Sequence, residues 1–467
     1  MRKMKKIIFS LMSFLLLTGN TVKAQDAEYT NPYGVRLESE EIIHYEPLHA
    51  PTADAATSNS GKRKMPALFT ADAKRMVISY MSLDGKKNSI RLSATVYIKP
   101  NNYYDKLLLN CHPTVTSNFE APTGGTPVDQ DIRRICDDNF LVVCPDYCGY
   151  GMSSYKQHPY LIHDVTAKNC IDAAMAALDY IQNVKKIAAS GDHFTTYIVG
   201  YSQGGATALA CAKYLESEAC PAATKTRLNL KETCCGDGPY STEATVKKYI
   251  EWGKEKSVGG KDQDLEYPCV LPLIVAAAKE AYGDGCMRTV EIEDYFSEEF
   301  KKTGIINLLK NKDMTTVDLN SEIRSKMKGR LRPVDLFSEN IINKATRELN
   351  TKSNEYKCLM RAMQTNELAK GWSPKHRLTF FHLKQDGVVP YANLEEVMSK
   401  DGIKNTAQKD VTITITDPEK VRSDIPGLVK FGSDATGSPI PDWDKANHAE
   451  GGTLFYAAYM FGSMLHK

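Results

Sequence analysis

The sequence predicts an α/β fold, a mostly parallel sheet flanked by helices with a helical cap inserted late in the chain. Short continuous apolar runs recur, among them Leu107-Leu108-Leu109-Asn110, Phe140-Leu141-Val142-Val143-Cys144 and Thr195-Thr196-Tyr197-Ile198-Val199, as befits central strands covered on both faces. Segments with apolar residues at helical spacing alternate with these runs, which is βαβ logic. Between 241 and 372 the regularity breaks into charged helical stretches without a clear buried strand.

Residues 1–24 read as an export signal. A basic start, Met1-Arg2-Lys3-Met4-Lys5-Lys6, precedes an apolar stretch from Ile7 to Leu17, and Val22-Lys23-Ala24 offers a cleavage site before Gln25. The apolar stretch is short for a membrane span, and the first cysteine is Cys111, so none near the cleavage site can carry a lipid. The alternative is an uncleaved N-terminal anchor. The chain is thus expected in the periplasm or outside the cell, with no stable membrane span after cleavage. Residues 25–70 are rich in Ala, Thr, Ser, Asn and Pro and read as an extended, partly mobile segment.

The sheet domain is expected to span 71–240 and 373–467, with the cap at 241–372. Arg75 to Met81 and Ile90 to Ile98 form a hairpin around Ser82-Leu83-Asp84-Gly85-Lys86. After the 107–110 strand come a helix near Gln130 to Asp137 and the 140–144 strand. A helix over Ile171 to Ile181 and the 195–199 strand follow. Ala206 to Leu215 makes the next helix and Leu228 to Thr233 the next strand. The cap contains helical segments at Thr245 to Trp252, Tyr295 to Lys310 and Pro333 to Asn350. The sheet resumes at Leu378 to Leu383, with a helix from Pro390 to Met398, a last strand at Val411 to Ile415 and a last helix at Thr453 to Leu465.

The 467 residues are 42% hydrophobic and 25% charged, enough for a large core and an accessory subdomain. The net charge is +2 and no long block of like charge occurs, which argues against nucleic acid and for a neutral or modestly charged small-molecule partner. Twelve cysteines in an exported chain permit disulfides. Cys144, Cys170 and Cys211 lie in apolar patterns and read as buried thiols. Cys220, Cys234, Cys235, Cys269, Cys286 and Cys358 lie in or near the insertion, where bridges would order it, and their pairing is open. No Cys-x-x-Cys and no His or Cys cluster at zinc spacing occurs, so neither a metal nor a cofactor is expected.

One constellation carries chemistry. Gly200-Tyr201-Ser202-Gln203-Gly204-Gly205 follows a buried strand and precedes an Ala-rich helix. A serine on such a strand-to-helix elbow projects its hydroxyl clear of steric cover, and the flanking glycines tolerate the strain. Ser202 is the candidate nucleophile. Its base should be a histidine late in the chain. Among ten histidines, His448 in a polar loop before the last helix fits best; His466 lies at the terminus, and His382 sits inside a strand pattern. The orienting acid should follow a strand end, as Asp386 does in Gln385-Asp386-Gly387-Val388-Val389-Pro390, with Asp401, Asp417 and Asp424 as rivals. The 62 residues from Asp386 to His448 (448 − 386) leave room for an extra excursion between Ile425 and Asp444. Backbone donors for a developing oxyanion should come from Gln203 and from the loop Cys111-His112-Pro113-Thr114-Val115. Pro113 has no N–H, which leaves His112 and Thr114 as alternatives.

With these residues in place, the chain from about 70 to its end, apart from the cap, resembles the α/β-hydrolase superfamily. Pro145-Asp146-Tyr147-Cys148-Gly149-Tyr150-Gly151 and the Gly238-Pro239-Tyr240 turn resemble motifs of secretory lipases and secreted bacterial esterases. The resemblance implies an α/β-hydrolase fold, a triad of Ser202, Asp386 and His448, and a helical lid governing access. His112-Pro113 departs from the His-Gly common at that loop. The activity implied is hydrolysis of a carboxylic ester, a lipid or an acylated sugar. Alternatives are a serine peptidase and a binding protein on an inactive scaffold.

Overall fold

The computed structural model describes residues 33–43, 73–99, 104–124, 139–187, 191–254, 264–416 and 446–459. Among these described residues, nine strands form one sheet: β1 (Arg36–Ile43), β2 (Ala73–Leu83), β3 (Ser89–Ile98), β4 (Lys106–Cys111), β5 (Phe140–Pro145), β6 (Thr195–Tyr201), β7 (Leu230–Gly236), β8 (Arg377–Phe381) and β9 (Ile413–Thr416). Their spatial order is β1-β2-β3-β5-β4-β6-β7-β8-β9. β1, β2 and β3 are antiparallel neighbours, β3 meets β5 antiparallel, and every pairing from β5 to β9 is parallel. The fold is thus the mostly parallel α/β architecture that the apolar runs predict.

Those runs are apolar throughout because both faces are covered. Leu107 and Leu109 of β4 pack in one core with α1 (His163–Asp179) and α2 (Gln203–Glu216), whereas Leu108 packs in another with Phe381, Leu454 and Phe455. The last two belong to α10 (His448–Tyr459), on the opposite face.

Between β7 and β8 lie α4 (Thr242–Lys254), α5 (Val270–Tyr282), α6 (Ile305–Asn311), α7 (Thr316–Lys326) and α8 (Asn354–Thr365). They build a separate apolar cluster that includes Leu271, Ile274, Phe296, Phe337 and Leu359, and Tyr160 to Ile162 ahead of α1 join it. A disulfide, Cys286–Cys358, ties the segment after α5 to α8. Cys144, Cys170 and Cys211 are buried.

Several boundaries differ from the sequence reading, each for a local reason. β1 lies within the segment read as extended and mobile; its side chains are mostly exposed, so it carries no alternating pattern. Ala222–Leu228 forms a helix, α3, and Asn229 at φ 25° ends it, so β7 starts at Leu230 rather than Leu228. The expected helix from Pro333 to Asn350 stops at Leu336. A small hairpin follows, pairing Ile342 with Leu349, in which the Asn343 carboxamide accepts the N–H groups of Ala345 and Thr346. α9 (Ala392–Met398) begins two residues after Pro390. α10 begins at His448, earlier than Thr453, because Asn447 and Glu450 cap it reciprocally.

Residues 1–24, the helix expected near 130–137, the excursion at 425–444, Asp417, Asp424 and His466 lie outside the described residues. Among the described residues no helix is long and apolar enough to cross a membrane.

Candidate active site

Ser202 stands between β6 and α2 with φ 58° and ψ −125°, a conformation that costs a residue with a side chain about 1–3 kcal/mol. The surroundings enforce it. The Ser202 N–H donates to Gly236 O at 2.9 Å, and its carbonyl accepts the N–H of Gly205 at 2.9 Å. The elbow also packs too tightly for side chains: a Cβ on Gly200 would lie 2.1 Å from Gly204 O, and one on Gly204 would lie 2.0 Å from Cys111 O. The two glycines therefore let β6 turn into α2 while α2 presses against the loop after β4.

His448 and Asp386 arrive from the far end of the chain. The Ser202 hydroxyl donates to His448 Nε2 at 2.8 Å, and His448 Nδ1–H donates to Asp386 Oδ2 at 2.6 Å. The other Asp386 oxygen accepts the N–H groups of Val388 at 2.7 Å and Val389 at 2.8 Å. Exposure is only 5% at Ser202, 3% at His448 and 1% at Asp386, so water screens this relay little. Burial pushes the Asp386 carboxyl up, but the His448 charge and hydrogen bond, His382 and the Val389 N–H outweigh it and hold it below the ordinary carboxylate value.

The main chain of His448 is held as firmly as its ring. Tyr201 OH donates to His448 O at 2.6 Å, and the Glu266 carboxylate accepts the His448 N–H. Glu266 comes from the segment between α4 and α5, and burial raises its pKa. The adjacent Tyr267 ring stands edge-on to the His448 imidazole, 6.0 Å between centroids.

The three residues nominated for an oxyanion hole lie around the same elbow, with their side chains committed elsewhere. Gln203 donates its carboxamide N–H to His158 Nε2 at 2.7 Å, while His158 Nδ1–H donates to Cys148 O at 2.8 Å. Burial pushes His158 down to about 3, which keeps the acceptor nitrogen unprotonated. The His112 ring stacks on Tyr147 at 3.9 Å, and its two nitrogens face Pro113 O at 2.7 Å and Asp146 O at 3.1 Å. Thr114 Oγ1 pairs with Tyr160 OH at 2.9 Å. As the first helical residue after the serine, Gln203 has a main-chain N–H without an intrahelical acceptor.

The run from Asp146 to Gly151 fastens this loop. Tyr147 OH donates to His112 O at 3.1 Å, Tyr150 OH to Val115 O at 2.5 Å, and Asp146 accepts both the N–H and the hydroxyl of Thr123. The inserted helices dock on the same loops. Lys312 extends its ammonium onto the carbonyls of Gly149, Ser154 and Lys156, and Thr316 N–H donates to Glu120 at 2.8 Å.

Two clusters among the described residues bring three metal-ligating side chains within 4.8 Å of one another: the thiols of Cys111, Cys170 and Cys211, and Asp237 with His382 and Asp386. The first is packed in the core against α1 and α2. In the second, Asp237 accepts the Leu383 N–H and contacts the Tyr201 hydroxyl, and Asp386 accepts the N–H groups of Val388, Val389 and His448, so both carboxyls are already engaged by protein groups.

Chemically, a serine hydroxyl donating to an imidazole that itself donates to a buried carboxylate is an arrangement able to deliver a serine nucleophile by general-base action. The structure brings Ser202, His448 and Asp386 together. His382 lies apart from the serine and donates from Nε2 to Val389 O. Tyr201, Asp237, Glu266, Tyr267 and His158 went unnominated in the sequence. Asp237 was accessible to the rule that found Asp386, since it too follows a buried strand directly; Glu266 and Tyr267 sit in an insertion with no readable motif.

No protein-family model matches the sequence, and no curated protein matches it. Among solved structures the chain is similar to the rice cell wall degrading esterase LipA from Xanthomonas oryzae, with 20% identity over 81% of this chain and 90% of that one, at a TM-score of 0.57. It is also similar to a Legionella pneumophila protein classed as a hydrolase, with 15% identity over 90% of this chain and 95% of that one, at a TM-score of 0.58. At such identities the likeness establishes the fold.

Proposed function

We propose that this chain, whose fold is that of the α/β-hydrolases, is a secreted serine carboxylic ester hydrolase acting through Ser202, His448 and Asp386 and an acyl-enzyme intermediate. The observation that carries the reading is the buried relay from Ser202 Oγ through both nitrogens of His448 to Asp386. His448 Nε2 takes the serine proton as Oγ attacks the ester carbonyl, then returns it to the departing alcohol. Asp386 fixes the tautomer and stabilises the imidazolium that forms. Water, activated by the same nitrogen, then releases the acid. The oxyanion is met by main-chain N–H groups, from Gln203 and from the loop that holds His112 and Thr114.

The substrate class proposed is a small-molecule ester, either a lipid or an acylated sugar, with no role for nucleic acid. The Xanthomonas protein is named as a cell wall degrading esterase, which accords with an ester substrate. The segment 241–372, with Glu266 and Tyr267 against His448, is proposed as the lid that governs access. Export rests on residues 1–24; an exported product whose mass begins at Gln25 supports it, and one retaining Met1 rejects it.

Turnover of short- and long-chain p-nitrophenyl esters, with Ser202→Ala as control, tests the activity. Hydrolysis of peptides in place of esters would replace this reading with the serine peptidase one.

A further inference from the structure

Asp237, just past the end of β7, is completely buried beside the orienting acid. Its Oδ1 accepts the Leu383 N–H at 2.8 Å, and its Oδ2 lies 2.5 Å from Tyr201 Oη. Tyr201 Oη also lies 2.6 Å from His448 O. A tyrosine has one hydroxyl hydrogen, and a carbonyl can only accept. If Tyr201 donates to His448 O, the contact with Asp237 needs a hydrogen from the carboxyl itself.

The surroundings supply one. Two carboxyls in contact in a dry site cannot both ionise cheaply, so one keeps a proton. Asp386 accepts two main-chain N–H groups and the His448 Nδ1–H, a set that stabilises its charge. Asp237 accepts the Leu383 N–H and faces groups that oppose a charge. Asp386 lies on one side, and the His382 Nδ1 lone pair faces Oδ1 at 3.8 Å, because the His382 proton is on Nε2 toward Val389 O. Tyr240 packs nearby, and Glu266 adds a further carboxyl that interacts with Asp386 and His448.

Resting on the triad reading above, we propose that Asp237 is a positioning residue held as a neutral carboxylic acid, donating its proton to Tyr201 so that Tyr201 can donate to the His448 carbonyl. The chain Asp237 O–H to Tyr201 O–H to His448 C=O then sets the backbone from which the catalytic imidazole projects. Burial, followed by the Asp386 charge, pushes the Asp237 carboxyl well above its ordinary value, in the sense this requires. When Asp237 ionises it takes the Tyr201 hydrogen, and the tether to His448 is lost. The functional form is therefore the low-pH form, and the tether fails as pH rises through the Asp237 pKa.

The test begins with infrared spectra of the full chain at neutral pH. A neutral-acid carbonyl band present in the wild type and missing in Asp237→Asn is expected; identical spectra would overturn the proposal. Steady-state kinetics on a p-nitrophenyl ester supply the functional arm. Asp237→Asn, whose amide can still donate to Tyr201, should retain more activity than Asp237→Leu. Tyr201→Phe and Asp237→Leu should each lose roughly tenfold in kcat with little change in KM, the worth of one buried hydrogen bond. Any fall in wild-type kcat at alkaline pH that belongs to Asp237 should be absent from Asp237→Asn. Equal kcat in Asp237→Leu and Asp237→Asn, with circular dichroism showing both folded, would also overturn it. Tyr201→Phe keeps the test open should the leucine variant not fold. Activity surviving Ser202→Ala would sink the triad reading itself, an outcome distinct from all of these.

Discussion

Asn447 and Glu450 cap one another at the start of the last helix: the Asn447 N–H donates to the Glu450 carboxylate at 2.8 Å, and the Glu450 N–H donates to the Asn447 side chain at 3.0 Å. His448 is the first residue inside that cap, so the helix start fixes where the imidazole originates. Asn447→Ala should cost about 1 kcal/mol of stability and lower kcat with KM nearly unchanged. Thermal unfolding and steady-state kinetics on the same samples check this; a stability loss without any loss of kcat would separate the cap from the site.

Asp386→Asn preserves the shape of the acid but removes its charge and permits the wrong imidazole tautomer. The expected loss is about 10⁴-fold in kcat. Because the folded pKa of Asp386 is lowered, its stabilisation is present above the unfolded value and is lost as pH falls through the folded one. The wild type should lose activity and stability together on that acid side, and Asp386→Asn should lack this contribution. A near-wild-type rate in Asp386→Asn would move the role to another carboxyl.

Lys312 joins the inserted helices to the 149–156 loop through three main-chain carbonyls. Lys312→Met leaves those carbonyls without their donor and should cost roughly 2–3 kcal/mol in chemical denaturation. Burial pushes the Lys312 ammonium down from 10.5 to about 8, while the unfolded chain holds that proton up to about 10.4. Across that window the unfolded state binds more protons, so this site's contribution to stability grows with pH. The gap between wild type and Lys312→Met should therefore widen from neutral pH upward; a gap that narrows would contradict the burial assigned to this ammonium.

The Cys286–Cys358 bridge closes a loop with a sequence separation of 72, worth about 4 kcal/mol in a chain-entropy account. Reductant or Cys358→Ser should lower the unfolding midpoint markedly, and reductant should leave Cys358→Ser unmoved. A wild-type midpoint insensitive to reductant would argue against the bridge.

The legible part of this molecule is its sheet. β4, β5 and β6 are apolar on both faces and flanked by turn residues, and Gly200 and Gly204 mark a close backbone approach that no other residue permits. Asp386 and His448 could be nominated because a strand end and a polar helix start are visible locally. What stayed hidden depends on long-range packing. The partnership of Tyr201 with Asp237 crosses 36 residues, and that of Tyr201 with His448 crosses 247. Glu266 acts on His448 from an insertion whose helices have no fixed spacing to the site. α10 starts at His448, five residues before the Thr453 that apolar spacing suggests, because Asn447 followed by Glu450 is a capping-box pattern. β1 escaped notice because an exposed edge strand need not alternate.

The central claim is that Ser202 is the nucleophile, and trapping it covalently tests that most directly. After exposure to a fluorophosphonate, peptide mass mapping should find one adduct, on the peptide that carries Ser202, with ester hydrolysis lost in step. Ser202→Ala should take up none. An adduct on another residue, or full esterase activity in the labelled or Ser202→Ala protein, would contradict the account.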